Sequence, residues 1–376
     1  MSDTNPALPQ VPPVQAWPSP LPAPAPASIR SAVAKTILLF AACVLVMQLI
    51  GGLLGGILAV LNPAVLDAIR QAMAGGSVDI QTIMQNPAYA QAIGPATLIG
   101  SIVGEALGIC CFFFLRGKKL VTSDISTTRP VGSRWGQLGT AVLLVFAVQL
   151  VLSLLNALIG MTGYDPSQVQ STLLDPVMSS PLGMVAAVFL LPFFEELIFR
   201  GAILRHLVPF GVNFAIVTQA VLFGLWHLNL YQGIFAVPMG LILGYVAYHF
   251  SLKWSFALHA LNNGFAMLMS LSWMPGWVAP AIMAVAGLGA VAVLILHRGQ
   301  IKPILAEGAP VRPLVSPLQP LPVGAPTLPV PEWAPPGGAL VIDKQPSPFR
   351  VGWASPAFIV VTAIMFVICC LMMTIA

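Results

Sequence analysis

Charge is what this chain has least of. Of its 376 residues only 7% are Asp, Glu, Lys or Arg, against 57% hydrophobic; a soluble domain carries about 25% charged residues. That scarcity excludes a soluble globular protein and implies a membrane protein of many spans. No run of five or more basic residues occurs, and the net charge is only +4, so no nucleic-acid partner is expected. Cysteine is scarce too. Cys43, Cys110, Cys111, Cys369 and Cys370 all fall in apolar runs and read as small core hydrophobes, not as a disulfide framework or a thiolate metal cluster. The N-terminus lacks a basic segment followed by a short apolar run, so no cleaved signal is expected. The C-terminal Met373-Thr374-Ile375-Ala376 carries no prenylation signal.

What is abundant is proline and long apolar sequence. Residues 1–30 hold nine prolines and residues 298–353 thirteen, 22 of the 35 in the chain. Neither stretch can pack as a domain; the first reads as a disordered tail and the second as a semi-rigid cytoplasmic linker. Between them lie eight apolar runs near the ~20 residues needed to cross a bilayer, at about 33–61, 94–116, 137–160, 183–204, 213–229, 231–250, 254–273 and 277–297. A ninth covers about 355–376. The fold class expected is all-α: a polytopic membrane helix bundle with an eight-span core in 31–297 and a ninth C-terminal span in 354–376, separable from that core. Gly51-Gly52 and Gly55-Gly56 allow close helix approach in the first run. Residues 62–93 are more polar and read as surface, partly amphipathic helix.

Lys and Arg set the orientation. With a cytoplasmic N-terminus and nine crossings, fifteen of the sixteen fall on the cytoplasmic side and only Arg70 outside. The expected location is an integral, multi-pass position in a bacterial inner membrane.

Three acidic residues lie within the runs: Glu105, Glu195 and Glu196. An ionisable group at bilayer depth costs at least ~2.5–3.5 kcal/mol and by default faces the bundle interior at a functional site. Glu195, Glu196 and Arg200 fall within six positions of one run. Neighbours on a helix differ by 100°, so the two carboxylates cannot share a face. Glu196 and Arg200, four apart, can pair, which leaves Glu195 free for water or another ligand. Pro192 removes a helix hydrogen bond one turn earlier. Glu105 has no polar set near it in sequence and reads as a packing contact. Two more constellations follow: Phe223 with His227, and His259 with Asn263, each one turn apart. His259 lies only six residues past Lys253, about 9 Å of helix, shallower than the other groups. The bland alternative is a buried network that locks the helices. A transporter or a membrane scaffold without protease activity is the competing class, though no inverted repeat is visible.

Taken together, Glu195-Glu196-x-x-x-Arg200-Gly201, Phe223-x-x-x-His227 and His259-x-x-x-Asn263 resemble the three motifs of the CPBP intramembrane protease family, which includes the type II CAAX prenyl endopeptidases and the bacterial Abi proteins. The resemblance covers about residues 180–275. It implies an intramembrane endopeptidase acting on a membrane-associated protein or peptide in the lipid bilayer, prenylated in one branch of the family. It implies catalytic roles for Glu195 as general base and for His227, His259 and Asn263, the last two stabilising the oxyanion, with Glu196, Arg200 and Phe223 in support. No His-Glu-x-x-His helix is present, and the reading taken is a glutamate-activated water without metal. The alternative is a metalloprotease in which Glu195, His227 and His259 bind zinc.

Overall fold

The architecture is that of a computed structural model, which describes residues 25–74, 87–120, 131, 134–163, 180–271, 273–296, 312–313, 327–328, 340–341 and 347–375. The chain divides into two compact units. In the one formed by residues 1–24 and 309–346, the described residues are three two-residue strands, β1 (Arg312–Pro313), β2 (Thr327–Leu328) and β3 (Leu340–Val341). They pair antiparallel in the order β1-β3-β2. Pro313 sits on an edge strand, where a residue without an N–H is tolerated. The segment expected to be a plain linker therefore contains local strand pairing, and its last residues, 347–353, belong to the other unit; the rest of it, and residues 1–24 of the expected tail, lie outside the described residues.

The other unit, residues 25–308 and 347–376, is helical. Its helices are α1 (Pro26–Val60), α2 (Pro63–Ala74), α3 (Pro87–Arg116), α4 (Trp135–Gly160), α5 (Pro181–Phe210), α6 (Val212–Trp226), α7 (Leu230–His249), α8 (Leu252–Met269), α9 (Val278–Leu296), α10 (Pro348–Gly352) and α11 (Pro356–Ile375). Each of the nine apolar runs is thus helical. Six helices are long and apolar enough to cross a membrane: α1, α3 over Gly94–Arg116, α4, α5, α7 and α9. The other three runs are not among these six. Helix α6 has 15 residues, about 22 Å at 1.5 Å per residue against a hydrocarbon core of ~30 Å. Helix α11 is 20 residues long, Pro356–Ile375, about 30 Å by the same rise, so length does not set it apart. Helix α8 carries Ser255, His259, Asn262 and Asn263, which lower its hydropathy. The protein is an integral, multi-pass helical membrane protein whose apolar side chains face outward in quantity, as Leu288 (73% exposed) and Leu154 (61%) do.

Helix α1 begins at Pro26, earlier than the apolar run suggested, because Pro suits the first helical turn and Ile29 is already buried. Of the paired glycines in α1, only Gly51 and Gly55 face a neighbour. A Cβ on Gly51 would lie 2.7 Å from the carbonyl oxygen of Gly100 in α3, and one on Gly55 3.1 Å from that of Ala96, while Gly52 and Gly56 look into open space. The four-residue spacing is the one that lets two backbones meet. Helices α6 and α7 form a tight hairpin through Gly224 and Gly233, with a Cβ on either reaching 2.9 Å from the other's carbonyl oxygen.

The ninth run does not stand apart. Helix α11 packs on α1, α6 and α7, burying Phe358, Met365 and Cys369. The turn before it is tied down as well. Trp353 Nε1 donates to Thr218 Oγ1 of α6 at 3.0 Å, stacks on Phe358 at 5.5 Å, and follows Phe349, whose ring meets Phe214 of α6 edge-on. Val351, Phe358 and Met365 belong to the same apolar cluster as Phe40 of α1, Phe199 of α5 and Phe223 of α6. The expectation of a separable last helix is therefore revised: a periodic apolar run reveals that a helix forms, not which faces it covers.

Candidate active site

Helix α5 carries the acidic pair, and its backbone is irregular on both sides of it. Ser180 caps the start by accepting from the Gly183 N–H at 3.0 Å, with Pro181 in the first turn. Residues Ala186–Leu190 and Leu197–Ile203 are π-helical, flanking the α-helical Leu191–Glu196; wide turns of this kind are frequent at functional sites. In the first, the Leu191 N–H donates five residues back to Ala186. The next residue, Pro192, has no N–H to give. The Ala187 carbonyl thus loses both of its possible helical donors.

Glu196 is 1% exposed and fully engaged. Its Oε1 lies 3.0 Å from Arg200 Nη1 and 3.0 Å from His259 Nδ1, and its Oε2 accepts from Ser255 Oγ at 2.6 Å. Arg200 is itself 0% exposed and its guanidinium lies over the Phe223 ring, 4.3 Å from the centroid, a favourable cation–π placement. That ring meets two imidazoles edge-on, His227 at 5.0 Å and His259 at 5.7 Å between centroids. Phe223 is the spacer around which the cation and both histidines are arranged.

Glu195 and Glu196 leave the helix in different directions, as their 100° offset requires, yet both reach His259. The imidazole donates from Nδ1 to Glu196 and turns Nε2 to Glu195 Oε2 at 3.5 Å. With Nδ1 carrying a proton for Glu196, one further proton between Nε2 and Glu195 makes that second contact attractive; without it two lone pairs face each other. Glu195 is the less buried of the two carboxylates, with 12% of its side chain exposed against 1%. His227 follows the last residue of α6 and donates from Nδ1 to the Phe223 carbonyl at 2.9 Å. Carbonyls in a last helical turn lack intrahelical donors, so this bond caps the helix and leaves Nε2 as the free nitrogen. The next residue, Leu228, has φ +52°, a left-handed conformation that costs a non-glycine residue roughly 1–2 kcal/mol and turns the chain sharply into α7.

The depth problem of His259 has a simple resolution. Phe250 and Ser251, at the α7–α8 turn, are 1% and 0% exposed, so α8 starts inside the bundle. Ser251 Oγ caps it by accepting from the Trp254 N–H, and Arg134 and Arg205 donate to the last carbonyls of α7, those of His249 and Ala247. His259, two turns in, is level with Glu196.

The hydrogen bonds of Asn263 go to groups other than the carboxylates. Its Nδ2 donates to the orphaned Ala187 carbonyl at 3.0 Å, and its Oδ1 accepts from Asn262 Nδ2 at 3.0 Å. Asn262 Oδ1 accepts in turn from Gln149 Nε2 of α4 at 2.6 Å. Ser255, Asn262 and Gln149 went unrecognised in the sequence. Ser255 could have been found, since it lies one turn before His259 on the same face of α8; Gln149 and Asn262 are single amides with no spacing to mark them. Glu105 is 6% exposed, its Oε2 has no hydrogen-bond partner among the described residues, and it acts electrostatically on Glu195 across the contact between α3 and Leu191–Ile203. It is a neighbour of the site, where the sequence suggested packing alone. Between α5 and α8 opens an apolar cavity of about 580 Å³ lined by Val188, Phe189, Phe256, Ala260, Gly264 and Leu268, with none of Glu195, His227, His259 and Asn263 in its lining.

No three His, Cys, Asp or Glu side chains among the described residues are gathered as a metal ion requires. His259 could offer a metal only Nε2, since its Nδ1 is held by Glu196.

Among curated proteins and among solved structures, nothing matches the chain. Residues 177–265 match the family model of Type II CAAX prenyl endopeptidase Rce1-like. That stretch starts just before α5 and ends just after Asn263, so it takes in both carboxylates, both histidines and the orphaned carbonyl, and residues 177–265 are accordingly a domain of the Rce1-like type II CAAX prenyl endopeptidase family.

Proposed function

We propose that the protein is an intramembrane endopeptidase that hydrolyses a peptide bond of a membrane-associated substrate with a water activated by Glu195. One observation carries the assignment. The oxygens of Glu196 are taken by Arg200, His259 and Ser255, whereas Glu195, more exposed and one residue away, has among the described residues one such contact, His259 Nε2 at 3.5 Å.

The steps balance without a metal. Glu195 takes a proton from water while the oxygen forms a bond to the scissile carbonyl carbon. The carbonyl π electrons move onto its oxygen, which the second Nδ2 hydrogen of Asn263 stabilises; preorganised donors of this kind usually supply the largest share of rate enhancement. The C–N bond then breaks, and the departing amine takes the proton from Glu195. His227, through its free Nε2, orients the water. On this geometry His259 orients Glu195 through Nε2, and the oxyanion role that the resemblance gave it falls to Asn263 alone. Glu196, Arg200 and Phe223 position the set. The apolar cavity between α5 and α8 suits a substrate arriving from the lipid, and the family name makes a prenylated C-terminal peptide the first to try. The orientation is the one with the N-terminus cytoplasmic, in a bacterial inner membrane, with nine crossings.

The test uses purified full-length protein in liposomes with a quenched-fluorescent peptide ending in Cys-aliphatic-aliphatic-X, farnesylated and unfarnesylated. Wild type cleaves at least one of them, and Glu195→Gln loses about 10²–10⁴-fold in rate, the usual worth of a general base. Cleavage by Glu195→Gln at the wild-type rate rejects the base. A wild type inert on both peptides returns the transporter and scaffold readings. Chelator leaves the rate unchanged; loss of activity restored by zinc would overturn the metal-free reaction.

A further inference from the structure

The amide chain that ends at Asn263 has a direction, and the direction is imposed from one end. A backbone carbonyl can only accept. The Ala187 carbonyl, deprived of helical donors by the wide turn and by Pro192, therefore requires an N–H from Asn263 and receives it at 3.0 Å. With Nδ2 so placed, Asn263 Oδ1 faces Asn262, which must donate, and does at 3.0 Å. Asn262 Oδ1 is then the acceptor left over, and Gln149 Nε2 supplies the donor at 2.6 Å. Gln149 lies midway along α4, in an otherwise apolar stretch. It is brought to Asn262 by a ring contact one turn away on each helix, Phe146 against Phe265 at 4.8 Å between centroids. A polar group in such a helix is costly unless partnered, and this one is partnered in the only sense that agrees with the carbonyl at the far end.

We infer that Gln149 is a positioning residue for the reaction proposed above: through Asn262 it holds Asn263 with its amide nitrogen, and not its oxygen, available to the developing oxyanion. The inference rests on that reading of the site. An amide has two N–H hydrogens; Ala187 takes one and a single hydrogen remains for the substrate. A turned amide would offer a lone pair to a negative charge and would set its oxygen against the Ala187 carbonyl.

Gln149→Glu tests this directly, because it keeps the shape and replaces the donor by an acceptor, whereas Gln149→Leu only removes the donor. In the liposome assay Gln149→Glu lowers kcat by about 10–100-fold, part of the 10²–10³ that loss of a whole oxyanion donor costs, with KM within about twofold. Gln149→Leu loses less. Equal kcat for Gln149→Glu and wild type overturns the inference, as do equal losses in the two variants that follow their loss of thermal stability. A second measurement needs no activity. Gln149 and Asn263 are linked through Asn262, so the melting-temperature losses of Gln149→Leu and Asn263→Leu are less than additive in the double variant. Strict additivity overturns the relay. Coupled losses in a wild type that cleaves neither peptide would leave a packing network and remove both the reaction and the positioning role, so the two failures are distinguishable.

Discussion

At the scale of single residues, the two adjacent glutamates make opposite predictions. Glu196 neutralises a guanidinium that is 0% exposed. Glu196→Gln keeps the shape and removes the charge, stranding Arg200, and breaking a buried pair costs about 3–5 kcal/mol. Thermal unfolding in detergent should show that loss, with activity falling because the fold does; unchanged stability would mean that Arg200 is balanced by something other than Glu196. Glu195→Gln should leave stability nearly unchanged while abolishing cleavage. Glu105 gives a third case. Its Oε2 has no hydrogen-bond partner among the described residues and a like charge, Glu195, acts on it. An amide at that position is cheaper to bury, so Glu105→Gln should raise the melting temperature, and a lower one would reveal a partner that stabilises the carboxylate. The contrast also marks what sequence can deliver at this scale. That Glu196 pairs with Arg200 follows from a four-residue spacing. That one imidazole bridges both carboxylates does not, because it depends on how α8 is rotated against α5. The roles of Ser255, Asn262 and Gln149 were hidden for the same reason: an isolated amide or hydroxyl in an apolar helix announces that it needs a partner and nothing about where the partner is.

Among the elements, the informative ones are those whose geometry departs from a plain helix. The nine apolar runs were legible as helices because hydropathy and length are summed over many residues. The two wide turns in α5 were not, since no residue pattern requires them; only Pro192 pointed to a weakened backbone. Pro192→Ala supplies an N–H that can compete for the carbonyls of the preceding turn. Asn263 would then share its acceptor, and the stability coupling between Gln149 and Asn263 should shrink; an unaltered coupling would show that the orphaned carbonyl does not depend on the proline. The segment from Trp353 to α11 was misjudged in the sequence because its proline-rich surroundings suggested independence. The indole bond to Thr218 at 3.0 Å is worth about 1 kcal/mol, so Trp353→Phe should cost that much in unfolding measurements. A chain ending at residue 346 should lose far more, because it uncovers the faces of α1, α6 and α7 on which α11 lies; a truncated protein of wild-type stability would restore the picture of a detachable helix.

For the molecule as a whole, six helices among the described residues are long and apolar enough to cross a membrane, and the arrangement of the sixteen Lys and Arg residues bears on how the rest are threaded. Under nine crossings a reporter after Ala376 should read as outside and one at Gly324 as cytoplasmic; both on one side would reject that threading. The close fit of α11 against helices from the start and the middle of the chain also has a consequence in time. During synthesis, at about 5–20 residues per second, the stretch between Met269 and Pro356 leaves the residues of the proposed site translated, with the faces that α11 covers still open, for on the order of ten seconds. On the proposed reading, the faces of α1, α6 and α7 that α11 covers stay open through that interval, and a chain stopped before Pro356 is expected to be cleared by quality control before it can cleave anything.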